Sequence, residues 1–369
     1  AQSLAPRPRH VPSLHRRLDA NARVLLLAYR ASAVELDAGR RVMPAVEWLL
    51  DNYHVIEKQI REIRDDLPAN YYRQLPKLDT GPFAGYPRVF GLAWAFVAHT
   101  DSHFDINVLR RFIASYQQVE PLTLGELWAV AITLRIVLIE NLRRLADQIT
   151  AGRTARADAD RLANRLTGFD GAQTALDEDI ALRAPLPLSE LFAAQLAKRL
   201  RDRDPLAMPA LGWLEERLER QGTTIDEVVV HAQQRLGASN VSVRNVITSL
   251  RLMSDIDWRE FFESVSLVDA RLRAGSGFAA MDFPTRDRYR SVIEELARGS
   301  SCSELDIAER ALAGGRALGA SCIDARERIR VEDPGYRLIA EGRLALEQSI
   351  GFRPSVRMRG GRWRGGPGI

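Results

Sequence analysis

Cysteine is scarce in this chain. Cys302 and Cys322 are the two thiols in 369 residues. Two thiols build no disulfide framework, and no Cys-x-x-Cys pair offers a zinc spacing. A reducing compartment with free thiols is the expectation. Long apolar runs are lacking too. The most apolar stretch, residues 128–139, is interrupted by Arg135, whereas a membrane-spanning helix needs about 20 apolar residues. It reads as a buried helix. The opening residues, AQSLAPRPRHVPSLHRR, hold no apolar h-region, so no signal peptide is predicted. There is no Gly-rich phosphate loop, no G-x-S-x-G elbow and no strand-borne Asp-x-Asp. Charge of one sign is also missing. A net charge of only +4 gives no basic field of the kind that binds nucleic acid.

What is present is helical pattern. Hydrophobic residues make up 46% and charged residues 27%, enough for a core under a polar surface. Residues 1–20 and 353–369 are basic and read as disordered tails. Between them, residues 21–150 read as an N-terminal helical subdomain, 151–187 as a linker and 188–352 as a C-terminal helical subdomain. Residues 18–38 form the first predicted helix. Pro44 suits a first helical turn. Val46, Leu49, Leu50, Tyr53, Ile56, Ile60, Ile63 and Leu67 then recur at steps of three and four, predicting one continuous helix up to Pro68. Residues 88–99 are apolar almost all round, which predicts a central core helix. Asp101 or Asp105 is expected to cap the next helix. Thr123-x-x-Glu126 reads as a capping box for a helix ending near Ile149. Further helices are predicted over 189–203, 209–221, 224–236, 241–255, 258–273, 285–298 and 303–318. Gly222 and Gly237 mark expected C-termini. Asp257-x-x-Glu260 and Ser301-x-x-Glu304 mark expected capping boxes. No period-two strand series is visible. The predicted fold class is all-α, a multi-helix bundle or irregular helical array.

Candidate chemistry is thin. His99, Asp101, His103 and Asp105 alternate as H-x-D-x-H-x-D, with ligand types suited to zinc or manganese. An extended segment would align them. At a helix junction they splay, and the acidic residues then serve as caps. Glu57, Asp65 and Asp66 fall on a polar helix face among basic neighbours, which predicts a solvated, ion-paired face. His231, at the edge of an apolar stripe, reads as structural. Tyr71, Tyr72, Arg73, Tyr86 and Arg88 flank a connector holding Gly81 and Gly85. Aromatics with arginine on a constrained loop can stack on sugars or nucleotides, or plug a helix junction. They are the candidate ligand or partner surface. No residue stands out as catalytic or cofactor-binding.

The stretches PAVEWLLDNYHVIEKQIREIRDDLPANYYRQLPKL, GYPRVFGLAWAFVAHTD and PLTLGELWAVAITLRIVLIENLRRLA, with SVRNVITSL, MDFPTRDRYRSVIEELARGS and DPGYRLIAEGR, resemble the N-terminal part of bacterial cyclic β-1,2-glucan synthases. The resemblance covers most of residues 20–353. It implies a large inner-membrane parent that uses UDP-glucose with a divalent metal. The matching segment would lie on the cytoplasmic side, before the transferase module. No catalytic residue of that module maps here. Trp363 follows Arg362 in Gly-rich text, not in the Q-x-x-R-W of processive glycosyltransferases. The implied role is a non-catalytic scaffold or regulator whose partner is the rest of the synthase. Alternatives are a module that contacts glucan or UDP-glucose, or a stand-alone helical adaptor. After GFRP the resemblance stops, which reads as a truncated product or a fragment.

Overall fold

The computed structural model describes residues 3–5, 9–40, 42–67, 71–166, 187–201 and 208–354. Its described residues form seventeen α-helices and no sheet. The all-α expectation is correct. The first seven are α1 Leu14–Asp37, α2 Pro44–Asp51, α3 Tyr53–Asp66, α4 Tyr71–Gln74, α5 Arg88–His99, α6 Ile106–Gln117 and α7 Leu124–Leu166. The rest are α8 Glu190–Arg201, α9 Met208–Glu219, α10 Ile225–Leu252, α11 Trp258–Val265, α12 Leu267–Gly275, α13 Phe283–Arg298, α14 Glu304–Gly319, α15 Ala325–Glu332, α16 Pro334–Leu338 and α17 Arg343–Ser349. No helix among the described residues is long and apolar enough to cross a membrane.

The long helix α7 is the axis. Helices α1, α3, α5, α8 and α10 all pack on it. Its first half carries Leu127, Val130, Leu134, Val137 and Leu138 into the main core. Helix α5 lies there with Val89, Phe90, Phe96 and Val97 buried, so the helix without a polar face is central, as its composition requires. The main core joins residues 14–146 to residues 243–350. It therefore takes side chains from both sides of the 151–187 stretch. A second, smaller cluster packs Ala159, Leu162 and Ala163 of α7 on Phe192, Ala193 and Leu196 of α8.

Several boundaries depart from expectation. The first helix starts at Leu14, where the Ser13 hydroxyl accepts from Arg16 N. The predicted 44–67 helix is two helices, because Asn52 leaves helical geometry at φ −116°. Its side-chain amide donates to Trp48 O at 2.8 Å, and its carbonyl oxygen accepts from Arg251 of α10. Helix α7 runs past Ile149 to Leu166, held by the small cluster with α8. The remainder of the expected linker, 167–186, lies outside the described residues, as do 355–369 of the expected C-terminal tail. Gly237 ends nothing: α10 continues through it, since Val228, Ala232, Val243, Val246 and Ile247 bury on either side. That burial offsets the roughly 1 kcal/mol that glycine costs in a helix interior. Gly222 does close α9's turn, at φ +75°. The predicted 258–273 helix breaks at Ser266, which caps α12 through its hydroxyl.

Candidate functional site

The connector between α4 and α5 is set by backbone bonds. Leu78 N donates to Tyr86 O at 2.9 Å and Gly85 N to Leu78 O at 2.7 Å. Gly85 adopts φ +87°, and a Cβ there would fall 2.8 Å from the Arg9 carbonyl oxygen. Only glycine admits that turn and that approach. This geometry drives Tyr86 and Arg88 inward.

The five candidate ligand residues do not share a surface. Tyr72 is buried, with its hydroxyl 3.0 Å from the Thr133 hydroxyl. Tyr86 is buried, stacks on Phe90 at 5.1 Å and accepts from Arg17 Nη1 at 3.0 Å. Arg88 is 2% exposed. Its Nε and Nη2 donate to Glu126 at 2.8 and 2.5 Å, and its Nη1 donates to Glu120 at 2.5 Å. Burial opposes the Arg88 charge, but the Glu126 hydrogen bonds and charge outweigh it, so its pKa is raised. These three residues plug helix junctions. Arg73 is exposed. Tyr71 alone lines a cavity.

That cavity, about 280 Å³, sits between α4, the start of α7, the end of α13 and the start of α14. Tyr71 donates to Gly125 O across it, and burial pushes the phenol up. Glu294, Arg298, Cys302, Ser303 and Glu304 complete most of the wall. Glu304 is the residue that pattern reading missed. The expected Ser301-x-x-Glu304 box is shifted. Ser303 and Asp306 form the capping box of α14 instead. Glu304 is thereby free to reach α7, where Oε2 accepts from Leu124 N at 2.7 Å. It caps a neighbouring helix, and only the tertiary arrangement reveals this. Asp257 does cap α11, through Arg259 N and Glu260 N. The Thr123–Glu126 bonds predicted as a capping box are both present.

Burial pushes the Glu304 carboxyl up from 4.5 to about 7. Between those values the folded chain holds a proton that the unfolded chain has lost. Stability therefore falls as pH rises from about 4.5 through 7, by about 3 kcal/mol. Glu304→Gln keeps an acceptor for Leu124 and should flatten this dependence. Urea unfolding of both proteins at pH 5 and pH 8 reads the difference; parallel pH curves would rule it out.

The H-x-D-x-H-x-D segment is a docking turn. Asp101 and Ser102 adopt φ +46° and +63°. Helix α10 locks them: Ser242 Oγ donates to Asp101 Oδ1 at 2.6 Å, Asn245 Nδ2 to Asp101 O at 3.0 Å and Ser249 Oγ to Ser102 O at 2.7 Å. His99 Nδ1 lies 2.8 Å from Ala95 O. Asp105 caps α6 through Asn107 N and Val108 N. No group of three or more His, Cys, Asp or Glu residues that could hold a metal occurs among the described residues. His231 is exposed, 3.8 Å from Glu190.

Chemically, the Tyr71 cavity offers carboxylate and hydroxyl partners for a hydroxylated ligand, beside an aromatic ring. No protein-family model matches the chain. The chain is 42% identical over 340 residues, 91% of its length, to the cyclic beta-(1,2)-glucan synthase NdvB of Rhizobium meliloti (strain 1021). It spans 12% of the length of that protein. Over nearly all its length, then, this chain is a homologue of the N-terminal region of a cyclic β-(1,2)-glucan synthase.

Proposed function

We propose that this chain is the helical N-terminal region of such a synthase, lying on the cytoplasmic side of the bacterial inner membrane. It positions or regulates a transferase that makes glucan from UDP-glucose, and it does no chemistry itself. The supporting observation is how its buried charges are used. Arg88, Glu126, Arg290 and Asp269 are nearly fully buried and bonded to one another in pairs. They brace helix junctions. Such groups define shape, which is what a scaffold supplies. The Tyr71 cavity gives the region a place to hold a sugar of donor or product.

Purified chain mixed with UDP-glucose and a divalent metal should bind the nucleotide sugar weakly and form no glucan. Calorimetry and product chromatography read the two outcomes. Tyr71→Ala should weaken the binding. Glucosyl transfer by the chain alone would refute the scaffold reading, and absence of heat would remove the sugar contact.

A further inference from the structure

Arg156, half-buried on α7, is a guanidinium without an acidic partner among the described residues. Arg88 carries two carboxylates and Arg290 three. The hydrogen bond that Arg156 makes is from Nη1 to the Met43 thioether, at 3.2 Å. Sulfur of this kind is a weak acceptor. Nη2 is buried with no hydrogen-bond partner. Burial lowers the Arg156 pKa with nothing opposing it. A buried, unsatisfied charged donor is costly, and an anion bound there would offset that cost.

The surroundings match an anion. Arg156 borders two adjoining cavities, of about 80 and 30 Å³, on either side of Met43 and Ile149. The larger is also lined by Arg153, Ser32 and Thr150. A cavity of 80 Å³ exceeds the roughly 30 Å³ that one water occupies and suits a four-oxygen ion. Glu35 is the acid in this wall, but it lies 2.8 Å from Arg40 and 4.0 Å from Arg153. In the smaller cavity Arg235 is taken by Glu190 at 3.1 Å. Two guanidinia and two hydroxyls supply more donors than a carboxylate's two oxygens use, and they suit phosphate. Met43 is the flexible plug. Its thioether sits against Nη1.

We propose that Arg156, with Arg153, Ser32 and Thr150, binds a phosphate group at the junction of α1, α2 and α7. The site is separate from the Tyr71 cavity and does not depend on its reading. The phosphate can be free or part of a lipid headgroup.

Thermal unfolding in inorganic phosphate, against chloride at equal ionic strength, tests it. Phosphate should raise the midpoint of the wild-type chain by about 2 °C. Arg156→Met should lose that rise and be at least as stable as wild type without phosphate, because it removes an unpaired buried charge. Arg156→Lys keeps the charge but not the fork, and should keep only part of the rise. Sedimentation with phosphatidic acid vesicles, against phosphatidylcholine vesicles, separates the sources. Pelleting that Arg156→Met abolishes assigns a headgroup, whereas protection by phosphate without pelleting assigns a soluble phosphate. No rise in the wild type, or an equal rise in Arg156→Met and wild type, overturns the site.

Discussion

Arg88→Met is expected to destabilise the chain by about 3–5 kcal/mol, because it leaves Glu126 as an uncompensated charge in the core. Glu126 is fully buried and Arg88 is 2% exposed, so water cannot replace the lost partner. Arg88 also donates to Pro121 O at 3.1 Å. One side chain thus holds the start of α5 to the loop before α7 and to α7 itself. Glu126 does two jobs. The oxygen that accepts from Thr123 N at 3.0 Å also accepts from Arg88. Arg88→Met combined with Glu126→Leu should recover much of the loss, since an apolar pair of similar volume replaces a desolvated ion pair at little net cost. Urea unfolding of the two single variants and the double variant reads the coupling. A loss below about 1 kcal/mol for Arg88→Met would show that the junction is held by packing alone.

The sequence made half of this junction legible. Thr123-x-x-Glu126 announces a helix start because capping is local, within three residues. Residues 88–99 announce a core helix because their apolar character is likewise local. The partner of Glu126 lies 38 residues away, and nothing in the spacing shows that Arg88 turns inward. Arginine beside aromatics on a Gly-rich loop suggested a ligand surface. The positive φ of Gly85 and the approach of Arg9 decide otherwise. The α2–α3 break shows the same limit. The stripe through residues 44–67 keeps its period, but Asn52 breaks the helix because Arg251, 199 residues on, binds it. In the Tyr71 cavity the aromatic was visible from its loop context. Glu304 was not, because its reach to Leu124 crosses 180 residues. Local periodicity marks helices and some caps. It does not mark which charged groups the packing of distant helices will bury.

An ion pair between α12 and α13 is marked by no local pattern. Asp269→Ala is expected to cost about 3 kcal/mol, the lower part of the range for breaking a buried ion pair. Asp269 is fully buried on α12. It accepts from Arg290 of α13 at 3.0 and 2.5 Å. Arg290 in turn is boxed by Phe262, Phe278 and Phe283, with ring centroids at 5.1, 5.8 and 5.3 Å. Those faces favour the cation but cannot accept its forked hydrogen bonds. Glu263 still holds Nη2 at 2.6 Å, which keeps the loss from the upper end of the range. Asp269→Asn retains an acceptor and should cost less than Asp269→Ala. Arg290→Met with Asp269→Leu should approach wild type, because the Phe box then closes on an apolar side chain. In sequence, Asp269 sits three residues after the capping Ser266, and Arg290 interrupts an otherwise apolar series of Tyr289, Val292, Ile293 and Leu296. Neither marks an ion pair without the fold. If urea unfolding finds both Asp269→Ala and Asp269→Asn as stable as wild type, the ion pair carries nothing. The three rings then hold α11, α13 and the turn before α13 together without it.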